Sequence, residues 1–138
     1  DIAVRVGQGI SWDIAVADPR QPDCEDLASL RVDGTGSLDP VGIATSGTSV
    51  HRWGAGTGAP PRHHLLDPRT RRPAVTDVVQ ATVIADSART AEVLAKAIVI
   101  AGSDAAVRLL EDARAEGAIL LLESGDVVSL PLTAGSLA

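Results

Sequence analysis

The sequence has almost no aromatic side chains: it contains no Phe and no Tyr, and its only tryptophans are Trp12 and Trp53. Aromatic platforms that stack on bases or sugars are therefore nearly absent, which argues against single-stranded nucleic acid or carbohydrate as ligands. Methionine is absent too. A buried core has to be built from Ala, Val, Leu and Ile.

Cysteine, long apolar runs and an excess of positive charge are also lacking. Cys24 is the single cysteine, which excludes an internal disulfide and a cysteine-built zinc site. Its acidic neighbours disfavour a thiolate, so we assign Cys24 no chemistry. No run of about eighteen apolar residues is present, so we expect no segment to span a bilayer. With 12 basic and 18 acidic residues the net charge is −6, which argues against nucleic acid as a partner.

The 138 residues suffice for one domain, and their patterning predicts its elements. Alternating apolar residues predict strands at 2–6 and 12–17, joined as a hairpin through the turn 7–9. Further strands are predicted at 27–32, 41–45, 64–66 and 75–85. Clustered Gly and Pro residues predict a loop or flap over 48–62.

Two helices are predicted next, because apolar residues recur there at intervals of three and four. The first is capped by Ser87 or Thr90 and ends at Gly102; the second covers 104–115, with Ser103 as its cap and Gly117 as its stop. A hairpin of 118–122 and 127–130 follows. Helices after mostly antiparallel strands predict an α+β fold, in which a mixed, largely antiparallel sheet packs against two helices.

Several collinear segments resemble the ApbE family, the FAD:protein FMN transferases, which move FMN from FAD onto a threonine of a target protein. Residues 64–70, His-Leu-Leu-Asp-Pro-Arg-Thr, match the family pattern of His, two apolar residues and Asp-Pro-Arg-Thr. Residues 44–47, Ala-Thr-Ser-Gly, match a second motif, and the helix at 91–97 falls where the family has its Asp-Ala-Leu-Ala-Thr helix. The segments at 1–5 and 12–20 resemble the stretch after the family's Gly-Gly-Asp turn.

The resemblance implies a tunnelling-fold-like architecture in which residues 1–138 are the C-terminal portion of a flavin transferase domain whose N-terminal half is absent. Such a piece is expected to be inactive alone, and either to remain associated with its N-terminal half or to form oligomers. The parent is expected to be bacterial, and its location, lipid-anchored or cytoplasmic, stays open.

The same resemblance assigns candidate site residues. It places His64 and the backbone of Leu65 against the flavin or its phosphates, with His64 as candidate general base. It offers Thr45, Ser46, Gly47 and Arg69 to phosphate groups. Without the resemblance, a histidine such as His64 is more often a partly buried structural group than a catalyst. For Asp67 we favour an Asx-type turn, and a cationic surface loop explains Arg69 equally well. His51 and His63 are interpreted as surface residues.

A metal position is implied on the first helix. In the family, magnesium is held partly by the helix Asp and by the Thr four residues later, and these positions are Glu92 and Lys96 here. Glu92 keeps an oxygen ligand, but an ammonium has no lone pair for a cation. Lys96 therefore either takes over part of the metal's electrostatic role or marks a site without magnesium. An exposed helical ion pair is the third interpretation.

Three functions follow as expectations. The first is an FAD:protein FMN transferase with FAD as substrate, magnesium as cofactor and a flavoprotein with an acceptor threonine as partner. The second is an FAD-binding protein of the same fold that does not transfer FMN, because Lys96 replaces the metal-holding threonine. The third is a module that associates with another chain through free strand edges.

Overall fold

A computed structural model of the chain describes residues 1–21, 26–34, 40–54 and 62–131. The strands are β1 (Ile2–Val4), β2 (Ser11–Ala17), β3 (Asp26–Asp33), β4 (Val41–Gly47), β5 (Arg52–Trp53), β6 (Arg62–His63), β7 (Leu66–Asp67), β8 (Arg72–Pro73), β9 (Val78–Ala85), β10 (Gly117–Leu122) and β11 (Val127–Pro131). The helices are α1 (Ala88–Ala101) and α2 (Ser103–Asp112). Within these ranges no helix is long and apolar enough to cross a membrane. Cys24 lies outside the described residues.

A five-stranded sheet in the order β1-β4-β9-β10-β11 forms the middle layer. Every pairing between its described strands is antiparallel. Strand β9 is buried along nearly its whole length, which is the burial expected of a strand covered on both faces. The predicted α+β class with two helices against a largely antiparallel sheet is confirmed.

Helix α1 packs on β4 and β9 and forms the larger core with α2. The core side chains are Ala, Val, Leu and Ile, as the composition predicts. Ser87 caps α1 as predicted, since its hydroxyl accepts the Thr90 N–H at 3.2 Å. Gly42 allows the close approach, because a Cβ there would lie 1.9 Å from the Ser87 carbonyl carbon. The start of α1 is therefore seated directly on β4.

The opposite face of the sheet is covered by the two-stranded ribbon β2–β3. Val16, Leu30 and Val32 of the ribbon form a second core with Ile43 and Ile84 of the sheet. The amide of Gln80 ties the layers together by donating to the Ala17 carbonyl at 3.1 Å. The molecule thus has three layers: helices, sheet and ribbon.

The predicted hairpin of 2–6 with 12–17 is wrong. Strand β1 pairs with β4, and β2 pairs with β3. The turn does form, with the Ile10 N–H bonded to the Gly7 carbonyl at 3.1 Å. It leads the chain out of the sheet and onto its other face, because the apolar side chains of the ribbon are buried there. A local turn signal does not reveal which strand will be the partner.

Two further predictions on element ends are wrong. The stretch 64–66 is not one strand: β6 pairs with β5, β7 pairs with β8, and His64 and Leu65 lie between β6 and β7.

Helix α2 begins at Ser103 with Gly102 before it, and it ends at Asp112, five residues before Gly117. The Ser103 N–H and hydroxyl are both bonded by the carboxylate of Asp77, a residue distant in sequence. The closing hairpin is confirmed as β10–β11.

Candidate functional site

The segment around His64 alternates between buried and exposed side chains. His63, Leu65 and Asp67 are buried, whereas His64 and Leu66 are exposed. Leu65 reaches the core beneath α1, where it packs among the helix and sheet side chains. The alternation therefore turns His64 away from the core and toward solvent, next to the helix.

A tight turn follows at Asp67, Pro68 and Arg69. The Asp67 carboxylate accepts the Arg69 N–H at 2.9 Å, and it is bonded by the Arg69 guanidinium through Nε at 3.0 Å and Nη2 at 3.1 Å. These hydrogen bonds from Arg69 lower the pKa of Asp67. The carboxylate is buried, and the Arg69 side chain is 76% exposed. Asp67 thus has the Asx-type turn role expected from the residues alone.

His64 lies beside a second histidine ring. Its ring makes an edge-to-face contact with the ring of His51, with 5.3 Å between centroids. Partial burial is the main cause that lowers the pKa of His64 below its ordinary value, and the charges of His51, His63 and Lys96 lower it further. The neutral imidazole, which can accept a proton, is therefore favoured near neutral pH.

Glu92 and Lys96 form an ion pair one turn apart on α1. Lys96 Nζ lies 2.6 Å from Glu92 Oε1, and the two side chains are 45% and 41% exposed for Glu92 and Lys96. The hydrogen bond from Lys96 lowers the pKa of Glu92. The charge of Lys96 is also one of the causes that lower the pKa of His64.

The end of β4 places its polar residues on opposite sides of the sheet. The Thr45 hydroxyl is 2.8 Å from that of Thr82, its partner on β9, and alternation puts Thr45 on the ribbon face with Ile43. Ser46 is buried, and it alternates onto the helix face with Ala44. At Gly47 a Cβ would lie 3.0 Å from the Val79 carbonyl oxygen. Ser46 and Thr45 therefore do not face the same side.

The described residues do not fit a magnesium ion by themselves. Among them, no group of three or more His, Cys, Asp or Glu side chains is arranged to hold a metal. Glu92 offers carboxylate oxygens, but Lys96 Nζ bonds one of them and cannot itself coordinate a cation. The ionisable side chains that this part of the chain offers are the His64 imidazole and the Glu92–Lys96 ion pair.

Comparison of the sequence with models of protein families shows the family of this chain. The sequence model described as the ApbE family matches residues 1–121. The chain belongs to the ApbE family. No curated protein matches the sequence of this chain.

Solved ApbE structures share the fold. The ApbE protein of Thermotoga maritima superposes with a TM-score of 0.71 at 28% identity, over 90% of this chain and 38% of that one. The flavin transferase ApbE of Vibrio cholerae gives 0.64 at 20% identity, over 94% and 41%. The flavinyl transferase ApbE of Pseudomonas stutzeri gives 0.63 at 24% identity, over 91% and 37%. The chain therefore spans about two fifths of the length of these ApbE relatives.

The prediction for one residue next to the candidate site is wrong. His63 is not a surface residue: its side chain is 5% exposed, and its Nε2 lies 2.9 Å from the Ala74 carbonyl oxygen. The signal that identifies it is the two-residue alternation, because His63 shares the buried side with Leu65 and Asp67. His51 is exposed, as predicted.

Proposed function

We propose that the protein is an FAD:protein FMN transferase, which moves FMN from FAD to a threonine hydroxyl of a target flavoprotein and releases AMP. Membership of the ApbE family and the similarity to proteins described as flavin transferases support this proposal. The single observation that carries it is the exposed His64, whose ring meets the His51 ring edge to face with 5.3 Å between centroids.

The proposed reaction is a phosphoryl-type transfer. The target threonine Oγ forms a bond to the phosphorus that carries riboflavin, the pyrophosphate bond on its other side breaks, and AMP leaves with the electron pair. His64 accepts the hydroxyl proton as general base. Developing negative charge on the phosphate oxygens requires positive groups nearby, and we assign this role to Lys96 of α1 and to Arg69.

The binding roles in this proposal are distributed over three segments. His64 and the backbone of Leu65 contact the flavin or its phosphates, and Arg69 contacts a phosphate after releasing part of its bond to Asp67. Thr45, Ser46 and Gly47 line the end of β4, where Ser46 lies on the side of α1. Any metal contact from this chain is assigned to Glu92.

We further propose that transfer needs more than the residues 1–138. These residues cover about two fifths of each ApbE relative, and we assign them the C-terminal portion of the domain. The remaining portion, or a second copy of the chain, would close the flavin pocket.

Intact-mass analysis tests the transferase. The complete protein is incubated with FAD, magnesium and a flavin-acceptor protein, and the acceptor is weighed. A mass gain equal to FMN is expected, and it should vanish when the acceptor threonine is replaced by alanine. An acceptor that gains no mass, while FAD is bound, contradicts transfer.

A second candidate is an FAD-binding protein of the same fold that does not transfer FMN. The observation that favours it is the 2.6 Å bond of Lys96 to Glu92, which occupies the carboxylate that the transferase would offer to magnesium. Binding of FAD would then be insensitive to chelator.

The variant Lys96→Thr separates the two candidates, with Arg108→Thr on α2 as a control that also removes one exposed helical charge. For an FAD-binding protein, we expect no transfer from the wild type, and chelator-sensitive transfer only from Lys96→Thr. Transfer by the wild type and by Arg108→Thr contradicts the second candidate.

A further inference from the structure

His64 is flanked by two residues that are both bonded to Ala74. The Ala74 N–H donates to the Leu65 carbonyl at 3.0 Å, and His63 Nε2 donates to the Ala74 carbonyl at 2.9 Å. One residue of the neighbouring segment is thus bonded to the His63 side chain and to the Leu65 backbone, on either side of His64. We refer to these two bonds as the Ala74 clamp.

The clamp is almost fully buried. The side chains of His63 and Leu65 and residue Ala74 are 5%, 4% and 8% exposed. A carbonyl oxygen can only accept, so the clamp requires the hydrogen of His63 to be on Nε2. The other nitrogen, Nδ1, is buried and has no partner in the described part of the chain. Among the described residues, the bond to Ala74 is therefore the one hydrogen bond that the His63 ring makes.

The Ala74 clamp sets the direction of the His64 side chain, which lies between the two clamped residues. With His63 and Leu65 both turned inward, His64 is turned outward to meet the His51 ring. We propose that His63 is a positioning residue, which acts through Ala74 to hold the His64 imidazole in place. Its catalytic consequence rests on the proposed transferase function, whereas its structural consequence does not.

A comparable hydrogen bond nearby provides a matched control. The Thr76 hydroxyl donates to the Val99 carbonyl at 2.7 Å, which is also a bond from a side chain to a backbone carbonyl. This bond ties the same segment to α1 and does not involve the stretch 63–65. Thr76→Val should therefore lower stability without displacing His64.

Nuclear magnetic resonance measures the position of His64 independently of activity. The complete protein is labelled with 13C at histidine, and ring signals are assigned with His51→Gln and His64→Gln. The edge-to-face contact predicts a cross-relaxation signal between the His51 and His64 ring protons. We expect His63→Leu to abolish this signal and Thr76→Val to keep it.

A conservative variant distinguishes positioning from general loss of structure. His63→Gln places an amide donor near the position of Nε2, so it should restore most of the signal that His63→Leu loses. If His63→Leu does not fold, His63→Asn replaces it, because its shorter amide does not reach the Ala74 carbonyl. An undiminished ring signal in the leucine or asparagine variant overturns the proposal. So does equal loss of the signal in Thr76→Val.

Kinetics add the catalytic arm. Displacement of the His64 imidazole by about 1 Å from its productive position lowers the rate of the reaction. We therefore expect kcat for FMN transfer to fall about 10- to 100-fold in His63→Leu. Thr76→Val should retain kcat, and KM for FAD should change less than kcat. Absence of transfer in the wild type refutes the transferase and leaves the ring-contact test valid. An unchanged kcat with a lost ring signal refutes the catalytic consequence of the clamp.

Discussion

The tripeptide Asp-Pro-Arg occurs twice, and its two copies adopt the same local structure. At Asp18 and at Asp67, the carboxylate accepts the N–H of the arginine two residues later, at 2.8 and 2.9 Å. In both copies the same carboxylate also binds the guanidinium at two points. Each aspartate carbonyl accepts the N–H three residues on, from Gln21 or Thr70. Proline in the second position suits such a turn.

The surroundings of the two turns differ. Arg20 reaches the Gly125 carbonyl at 3.3 Å, which fastens the first turn to the end of the β10–β11 hairpin. Arg69 bonds only Asp67 among the described residues, and its side chain is 76% exposed against 47% for Arg20. Sequence therefore sets the shape of both turns, and tertiary position leaves the Arg69 side chain more exposed than that of Arg20.

The largest expected difference is in ligand binding. Arg69→Gln should weaken FAD binding to the complete protein by about 10- to 100-fold, because a charge-assisted contact to a phosphate is lost. Arg20→Gln should leave the affinity unchanged. Titration by flavin fluorescence measures both, and equal affinities for the two variants would remove Arg69 from the proposed site.

The next difference concerns stability, in which the two turns should agree. Asp67→Ala and Asp18→Ala each remove the acceptor of an N–H and of a guanidinium, so each should lower the melting temperature by about 5 °C. Asp86→Ala, at an exposed position, is the control. Circular dichroism on heating measures the melting temperatures. If only one of the two variants has a lower melting temperature, the two turns do not contribute equally to stability.

Acid should weaken both turns over the same range. Hydrogen bonds from the following arginine lower the pKa of Asp18 and of Asp67 from the ordinary value of 3.8. A lowered folded pKa stabilises the protein above the ordinary value, and this stability is lost as the pH falls through the folded pKa. In urea titrations below about pH 4, Asp18→Asn and Asp67→Asn should each flatten the acid loss of stability. If neither variant changes the dependence of the unfolding free energy on pH, Asp18 and Asp67 are not the cause of the acid loss of stability.

The smallest change in stability is expected when the ion pair of Glu92 and Lys96 is removed. This pair joins two side chains, and it lacks the side-chain to backbone hydrogen bond found in the two turns. Lys96→Gln should shift the melting temperature by less than about 2 °C, because exposed helical ion pairs contribute little. A shift as large as that of Asp67→Ala would show that the pair is structural. Added salt should reduce the shift further.

Much of the fold follows from local patterns. Several elements were predictable because each depends on neighbours in sequence. They are the strands at 27–32 and 41–45, the closing hairpin, the first helix with its Ser87 cap, and the turn at Asp67. The partner of β1 and the carboxylate at the start of α2 were not. Both depend on residues far along the chain, and no local signal encodes them.

The candidate site divides in the same way. The pattern 64–70 identifies the segment, and alternation along it is enough to separate His64 from the buried residues beside it. The sequence does not place Lys96 near His64, or Thr45 and Ser46 on opposite faces, since these depend on how α1 and the ribbon cover the sheet.

The sequence by itself determined family membership, the α+β class, the aliphatic core and the internal shape of both Asp-Pro-Arg turns. Only the tertiary structure decided that one turn is fastened to a hairpin while the other borders the His64 cluster. It also decided that His63 is buried against Ala74. The physical reason is range: turns and caps are fixed by hydrogen bonds between adjacent residues, whereas burial and electrostatic neighbours are fixed by the packing of distant segments.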